Sequence, residues 1–178
     1  LALLPKNRDA AVAELSVGYR IPRQIMEFAA RLLPTAAPQQ TPPTAVREGD
    51  AEPLILGTTR DRLFEVVANE ARTLVSLLAD GRVGIVCADN LFDELAAALD
   101  SSGLTYGRAG ASALEATLTL VPVSLVKGLE MDGVIVVEPL DIYESSDSGP
   151  RGLYVALTRS TQRLVVAHSR ELPLELRD

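Results

Sequence analysis

Between Leu54 and Ala167 the chain alternates short apolar runs with longer amphipathic stretches, and this alternation leaves few folds open. Leu54 to Thr58, Val83 to Ala88, Leu118 to Val123, Val134 to Val137 and Arg163 to Ala167 read as strands. Arg62 to Ala79 and Leu91 to Asp100 read as helices, with a short helix at Leu153 to Thr158. Several of these runs are apolar at successive positions, as strands are when both faces are buried. Such strands need helices on both sides. The expected architecture is therefore a three-layer α/β domain with a mostly parallel sheet.

Upstream, Ile21, Ile25, Phe28, Ala29 and Leu32 fall at helical spacing within residues 21 to 33, with Pro22 suited to a first turn. Met26 and Phe28 read as packing residues of that helix. Residues 34 to 53, rich in Pro, Thr, Gln and Ala, read as an irregular connector, the one seam in a single domain spanning 1 to 178. A length of 178 residues with 47% hydrophobic content supports one well-buried core. The single cysteine, Cys87, lies in an apolar run; it reads as a core thiol and points to a reducing, cytoplasmic setting. No apolar stretch approaches the roughly 20 residues of a membrane span, and no leader pattern opens the chain. The sequence begins at Leu1 without an initiator methionine, which suggests a piece of a larger protein.

A net charge of −7 counts against a domain that grips nucleic acid by itself, because non-specific affinity comes mainly from Lys and Arg displacing counterions. The chemistry-bearing motifs of a self-sufficient nucleotide enzyme are also missing. There is no Gly-x-x-x-x-Gly-Lys-Ser/Thr phosphate loop and no Gly-x-Gly-x-x-Gly. Asp93 and Glu94 read as helix N-terminal charges. His168 closes a strand with no nucleophile nearby, and one Cys with one His cannot build a metal cluster. By itself the domain is expected to hydrolyse nothing.

Two segments still carry usable chemistry. Arg159, in Leu153-Tyr154-Val155-Ala156-Leu157-Thr158-Arg159-Ser160, is a single cation set among small and apolar neighbours. Its guanidinium reads either as a fork aimed at phosphate oxygens or as a cap on the C-terminal end of its own helix. In parallel sheets ligands collect beyond the carboxyl ends of strands, which singles out the turns after Val123 and Val137. Val123 to Glu130 sits at such an exit; Gly128 permits close backbone approach, while Lys127 and Glu130 read as opposite charges able to form a solvated ion pair.

Three segments, in order, resemble the last three motifs of the UvrD/Rep class of superfamily 1 helicases. Leu15-Ser16-Val17-Gly18-Tyr19-Arg20-Ile21-Pro22 is similar to motif IV. Lys127-Gly128-Leu129-Glu130-Met131-Asp132-Gly133-Val134-Ile135-Val136-Val137 is similar to motif V, and Leu153 to Ser160, followed by Leu164-Val165-Val166, to motif VI. The resemblance runs from Leu15 to Ala167. It implies a C-terminal RecA-like domain, of P-loop NTPase type but lacking its own P-loop. Such a domain is the second motor domain, 2A, of an ATP-dependent DNA helicase. The ATP site would be shared with an N-terminal RecA-like domain of the same protein, which would supply the phosphate loop and the Mg2+ ligands. Carried over position by position, Tyr19 would stack on adenine, Glu130 would accept from the ribose hydroxyls beside Gly128, and Arg20 and Arg159 would reach the γ-phosphate as catalytic arginines. Ser124 and Lys127 would face single-stranded DNA.

The chain departs from that pattern on its DNA side. Pro122 and Ser124 stand where a threonine and a histidine are usual in motif V, and a proline has no N–H to give a phosphate. Gly18 replaces a usual asparagine, and the charged run before motif VI is reduced to Ser148-Gly149-Pro150-Arg151-Gly152. A Pro-containing motif V without His, together with Tyr-Arg-x-Pro in motif IV, resembles the HelD group of helicase-like ATPases, which bind RNA polymerase and help remove it from nucleic acid. A non-catalytic α/β interaction module is the remaining alternative; retention of Tyr19, Arg20, Glu130 and Arg159 together argues against it.

Overall fold

The computed structural model describes residues 17–109 and 116–177. Leu15 and Ser16 of the first motif segment, and the remainder of the 1–178 span, lie outside the described residues.

The runs of apolar residues form a six-stranded sheet whose paired strands are all parallel, in the order β3-β8-β7-β4-β6-β5. These strands are β3 (Leu54–Gly57), β4 (Val83–Cys87), β5 (Gly107–Arg108), β6 (Leu118–Pro122), β7 (Met131–Val137) and β8 (Ser160–His168). Alternation along each strand divides the core in two. Val86, Val121, Val134, Val136, Leu164 and Val166 face one layer, built of α1 (Arg23–Ala30), α2 (Leu33–Ala36), α5 (Pro139–Glu144) and α6 (Gly149–Leu157). Ile85, Cys87, Leu120, Ile135, Val137 and Val165 face the other, built of α3 (Leu63–Leu78) and α4 (Phe92–Ser101). Each fully buried Val, Ile or Leu contributes about 1.5–3 kcal/mol relative to exposure, so the central strands carry the fold. The fold is α/β in three layers, as the alternation predicts. Cys87 is buried, and burial, aided by Asp89, pushes its thiol up to about 12.

Local differences from expectation have local causes. Pro22 precedes α1 in an extended conformation (φ −55°, ψ 145°) instead of sitting in its first turn, and α1 stops at Ala30. Pro34 then occupies the first turn of α2, where its missing N–H costs nothing. The helix expected at 153–158 begins earlier, at Gly149, with Pro150 in its first turn. β7 and β8 begin three residues before the expected Val134 and Arg163, because Met131 pairs with Ser160 across a bulge. The connector at 34–53 is not wholly irregular. Thr44–Ala45 forms β2, which pairs in parallel with Val17–Gly18, β1. Asp93 and Glu94 occupy the first turn of α4, and His168 ends β8 with Nδ1 2.7 Å from the Arg170 carbonyl.

The link from β6 to β7 positions most of the site. These strands lie on either side of β4, and residues 123–130 must return from the carboxyl edge of the sheet to its amino edge. At about 3.3 Å per residue the segment spans at most roughly 26 Å, little more than the seven-residue β7, and as an α-helix it would reach only about 12 Å, so it cannot hold one. It instead makes a short 3-10 turn at Val123–Leu125 and lies on the sheet, anchored by buried Val126 and by Leu129.

Candidate functional site

The segment 123–130 touches both edges of the sheet, and the residues of interest divide accordingly. Glu130 immediately precedes β7 and Arg159 immediately precedes β8; the Met131 N–H donates to the Arg159 carbonyl at 3.1 Å. Both residues therefore stand at the amino edge. Arg20 joins them from the loop between β1 and α1, its Nη1 2.6 Å from Glu130 Oε1. Tyr19, its chain neighbour, is 75% exposed, with its ring presented to solvent. The carboxyl-edge location expected for residues 123–130 does not hold for Glu130. It fails because the connection before β7 runs toward the amino edge.

Arg159 caps the C-terminal end of its own helix, one of its two sequence readings. Its Nε donates to the Val155 carbonyl at 3.1 Å, in the last turn of α6, and Nη1 donates to the Leu129 carbonyl at 3.2 Å. The stem is thus held from two sides, while Nη2 has no partner among the described residues. Burial pushes the Arg159 pKa down and nearby Arg20 adds to this, while the Glu130 carboxylate opposes it. Guanidinium nonetheless keeps its proton at working pH. Glu130 thus faces two cations, and it pairs with Arg20 instead of the expected Lys127. With Arg20 66% and Glu130 47% exposed, the pair is worth about 0–1 kcal/mol, so an incoming ligand can exchange it cheaply.

The amino edge rests on Asp132. Its carboxylate accepts from the Arg82 N–H at 2.8 Å and from Gln162 Nε2 at 2.7 Å, joining the starts of β4, β7 and β8. Burial raises the Asp132 pKa, but these hydrogen bonds, with one from Thr161, outweigh it and hold the carboxyl below its usual range.

Ser124 and Lys127 lie apart from this cluster, at the carboxyl edge. They line a cleft of about 620 Å³ whose opposite wall is α6, through Gly149, Arg151, Gly152 and Val155. Lys127 is exposed and has no partner among the described residues. The Ser124 N–H donates to Asp89 Oδ1 at 3.2 Å. Gly128 follows with φ +86°, a conformation that favours glycine, and a Cβ there would meet no atom within 4 Å. Its glycine is required by backbone conformation and not by crowding within this chain. The other expected exit, after Val137, is closed by Glu138: its buried carboxylate accepts from the Ser169 hydroxyl and from the Ser169 N–H at 2.9 Å.

Asp89, Arg47 and Arg151 were not singled out as site residues by the sequence. Arg151 was legible as a cation near a helix start, whereas Arg47 and Asp89 acquire their positions only through contacts between distant segments. Among the described residues no group of three His, Cys, Asp or Glu gathers as a metal site, and no helix is long and apolar enough to cross a membrane.

No protein-family model matches the sequence, and no curated protein matches it. Among solved structures, the chain is similar to the C-terminal domain of a possible DNA helicase from Lactobacillus plantarum WCFS1, at 20% identity and a TM-score of 0.69, covering 89% of this chain and 92% of that one. That likeness identifies a shared fold, the RecA-like α/β domain. Weaker similarity extends to the Arterivirus nonstructural protein 10 helicase in complex with DNA (12% identity, TM-score 0.48, covering 86% of this chain). The Sulfolobus solfataricus SWI2/SNF2 ATPase core in complex with double-stranded DNA is comparable (12% identity, TM-score 0.46, covering 87%). The chain spans about a third (34%) of each of these two.

Proposed function

We propose that this chain is the second motor domain of an ATP-dependent DNA helicase or translocase of the UvrD/Rep type, completing an ATP site whose phosphate loop and Mg2+ ligands belong to a first RecA-like domain. The observation that carries this reading is the meeting of Arg20, Glu130 and Arg159 at one edge of the sheet, beside exposed Tyr19. Two guanidiniums against one carboxylate suit a polyanion, and an exposed aromatic face suits a purine.

In this reading Tyr19 stacks on the adenine and Glu130 releases Arg20 to accept from the ribose hydroxyls. Arg20 and the free Nη2 edge of Arg159 then neutralise charge developing on the γ-phosphoryl oxygens. Phosphoanhydride hydrolysis is accelerated mainly by positioning and charge neutralisation, and an arginine finger supplies about 10³–10⁵ in rate. Because both arginines sit across the cleft from the phosphate loop, closure depends on the γ-phosphate, and its loss releases the clamp. Lys127, with Ser124, offers the carboxyl-edge cleft a contact for a nucleic-acid backbone.

A second reading, HelD-like release of RNA polymerase from nucleic acid, is favoured by one feature of that cleft. The Ser124 N–H is already taken by the Asp89 carboxylate, and Pro122 has no N–H, so this wall is poorly equipped to hold a phosphate. ATP hydrolysis by the full-length protein, measured alone, with single-stranded DNA and with RNA polymerase, separates the two, with Arg159→Ala as the blank. Strong stimulation by DNA supports the translocase. DNA-independent turnover with tight polymerase binding supports the second reading. Absence of turnover in every condition leaves a non-catalytic α/β interaction module.

A further inference from the structure

We infer that Arg47 is a positioning residue that sets Arg20 relative to Arg159; the inference rests on the motor-domain reading above. One nitrogen of its guanidinium, Nη1, donates to the carbonyl of Arg20 at 3.0 Å and to the carbonyl of Thr161 at 2.9 Å. Thr161 lies in β8 two residues after Arg159, so a single planar group joins the two segments that carry the arginines. The two segments are separated by well over a hundred residues of sequence, and the exposed Arg20–Glu130 pair ties Arg20 to the start of β7, not to β8.

Arg47 is itself held in place from both sides. β2 pairs with β1, the Val46 N–H donates to the Gly18 carbonyl at 3.1 Å, and the Arg47 carbonyl accepts from the Arg23 N–H at 2.7 Å at the start of α1. Beyond it, Glu48 pairs with Arg23 at 2.8 Å, and Gly49 exchanges two hydrogen bonds with the Gln24 side chain. Residues 44–49 thus clasp the loop that presents Tyr19 and Arg20, and the Arg47 side chain extends the clasp to β8. A lysine also carries its donors on one nitrogen but ends one bond nearer the backbone, so it reproduces this bridge only in part.

Arg47 is exposed, so its truncation opens no core and its effect on turnover is separable from folding. The test compares Arg47→Ala, Arg47→Lys, Arg20→Ala, Arg159→Ala and the double Arg20→Ala/Arg47→Ala variant in the full-length protein, reading kcat and KM for ATP together with thermal melting. A displacement on the order of 1 Å at a reacting group costs up to about a hundredfold in rate. The expected result is a kcat for Arg47→Ala lowered about ten- to a hundredfold, with an unchanged melting midpoint and partial recovery in Arg47→Lys. If Arg47 acts through Arg20, the double variant is no slower than Arg20→Ala alone. Wild-type kcat in Arg47→Ala, or additive losses in the double variant, overturns the inference while Arg20→Ala and Arg159→Ala remain inactive and the motor reading stands. Unchanged turnover in Arg20→Ala and Arg159→Ala overturns the motor reading and this inference with it.

Discussion

At the amino edge of the sheet, Arg20, Glu130 and Arg159 form a compact charged cluster made of long side chains, each reaching its place through identifiable hydrogen bonds or ion pairs. At the carboxyl edge, the cleft beside β4 and β6 combines the small residues Ser145, Ser148, Gly149 and Gly152 with Val123, Val126 and Ile142, and its charged groups are Asp89, Lys127 and Arg151. α6 connects the two regions, its first turn in the cleft and its last turn under Arg159. Its nine residues, at about 1.5 Å each, separate them by roughly 13 Å. A site built from side chains fails by losing chemistry while the fold survives. A site built from backbone and glycine fails by steric insult, and then takes the fold with it.

The largest effect that would sharpen this contrast is expected from Arg159→Ala in the full-length protein. If the motor-domain proposal holds, turnover falls by about 10³-fold or more while nucleotide affinity changes little, as expected of a group that acts mainly on the transition state. Tyr19→Ala produces the reverse split, weaker nucleotide binding with a smaller loss of kcat; equal behaviour of the two variants would break the assignment of roles within the cluster.

At the other edge the decisive variant is Gly149→Ala. An added methyl would run into the backbone carbonyls of Ile142 and Tyr143 where α6 packs on α5. The expected loss is about 1–3 kcal/mol or more of stability, read by urea denaturation of the domain. A neutral result would show that the cleft wall yields more readily than its packing indicates.

Asp132→Ala is expected to cost about 1–3 kcal/mol, the worth of hydrogen bonds to a charged acceptor. Because the folded-state pKa of Asp132 is depressed, its contribution is present above the ordinary value of 3.8 and is lost as pH falls through the lower folded value. Stability curves of wild type and variant should therefore converge in acid; parallel curves would remove Asp132 from the support of the amino edge.

The smallest effect concerns Lys127→Ala, which should reduce the slope of log affinity for single-stranded DNA against log salt by about one without altering sequence preference. An unchanged slope would detach the cleft from nucleic acid and favour the polymerase-associated reading.

The apolar runs at 83–88 and 118–123 declared a sheet covered on both faces, and Arg159 and Glu130 were legible as residues adjoining such runs. Their roles as partners were less legible. Lys127 and Glu130 are three apart and look like a pair, yet the extended link to β7 carries them toward different edges, and Glu130 meets Arg20 instead. The bridging strand at Thr44–Ala45 is not legible in the sequence because two residues in a Pro-rich stretch show no periodicity, and its pairing is with a segment on the far side of α1.

What the sequence determined by itself was therefore the layer architecture and the inventory of charged groups, since burial on two faces and helical spacing are written in neighbouring residues. Which edge each group occupies, that Arg20 pairs with Glu130, and that Arg47 reaches both Arg20 and Thr161 were decided only by the tertiary structure. Those contacts follow from strand order and from chain reversals, and the free energy that selects them comes from the core as a whole and not from the residues that meet.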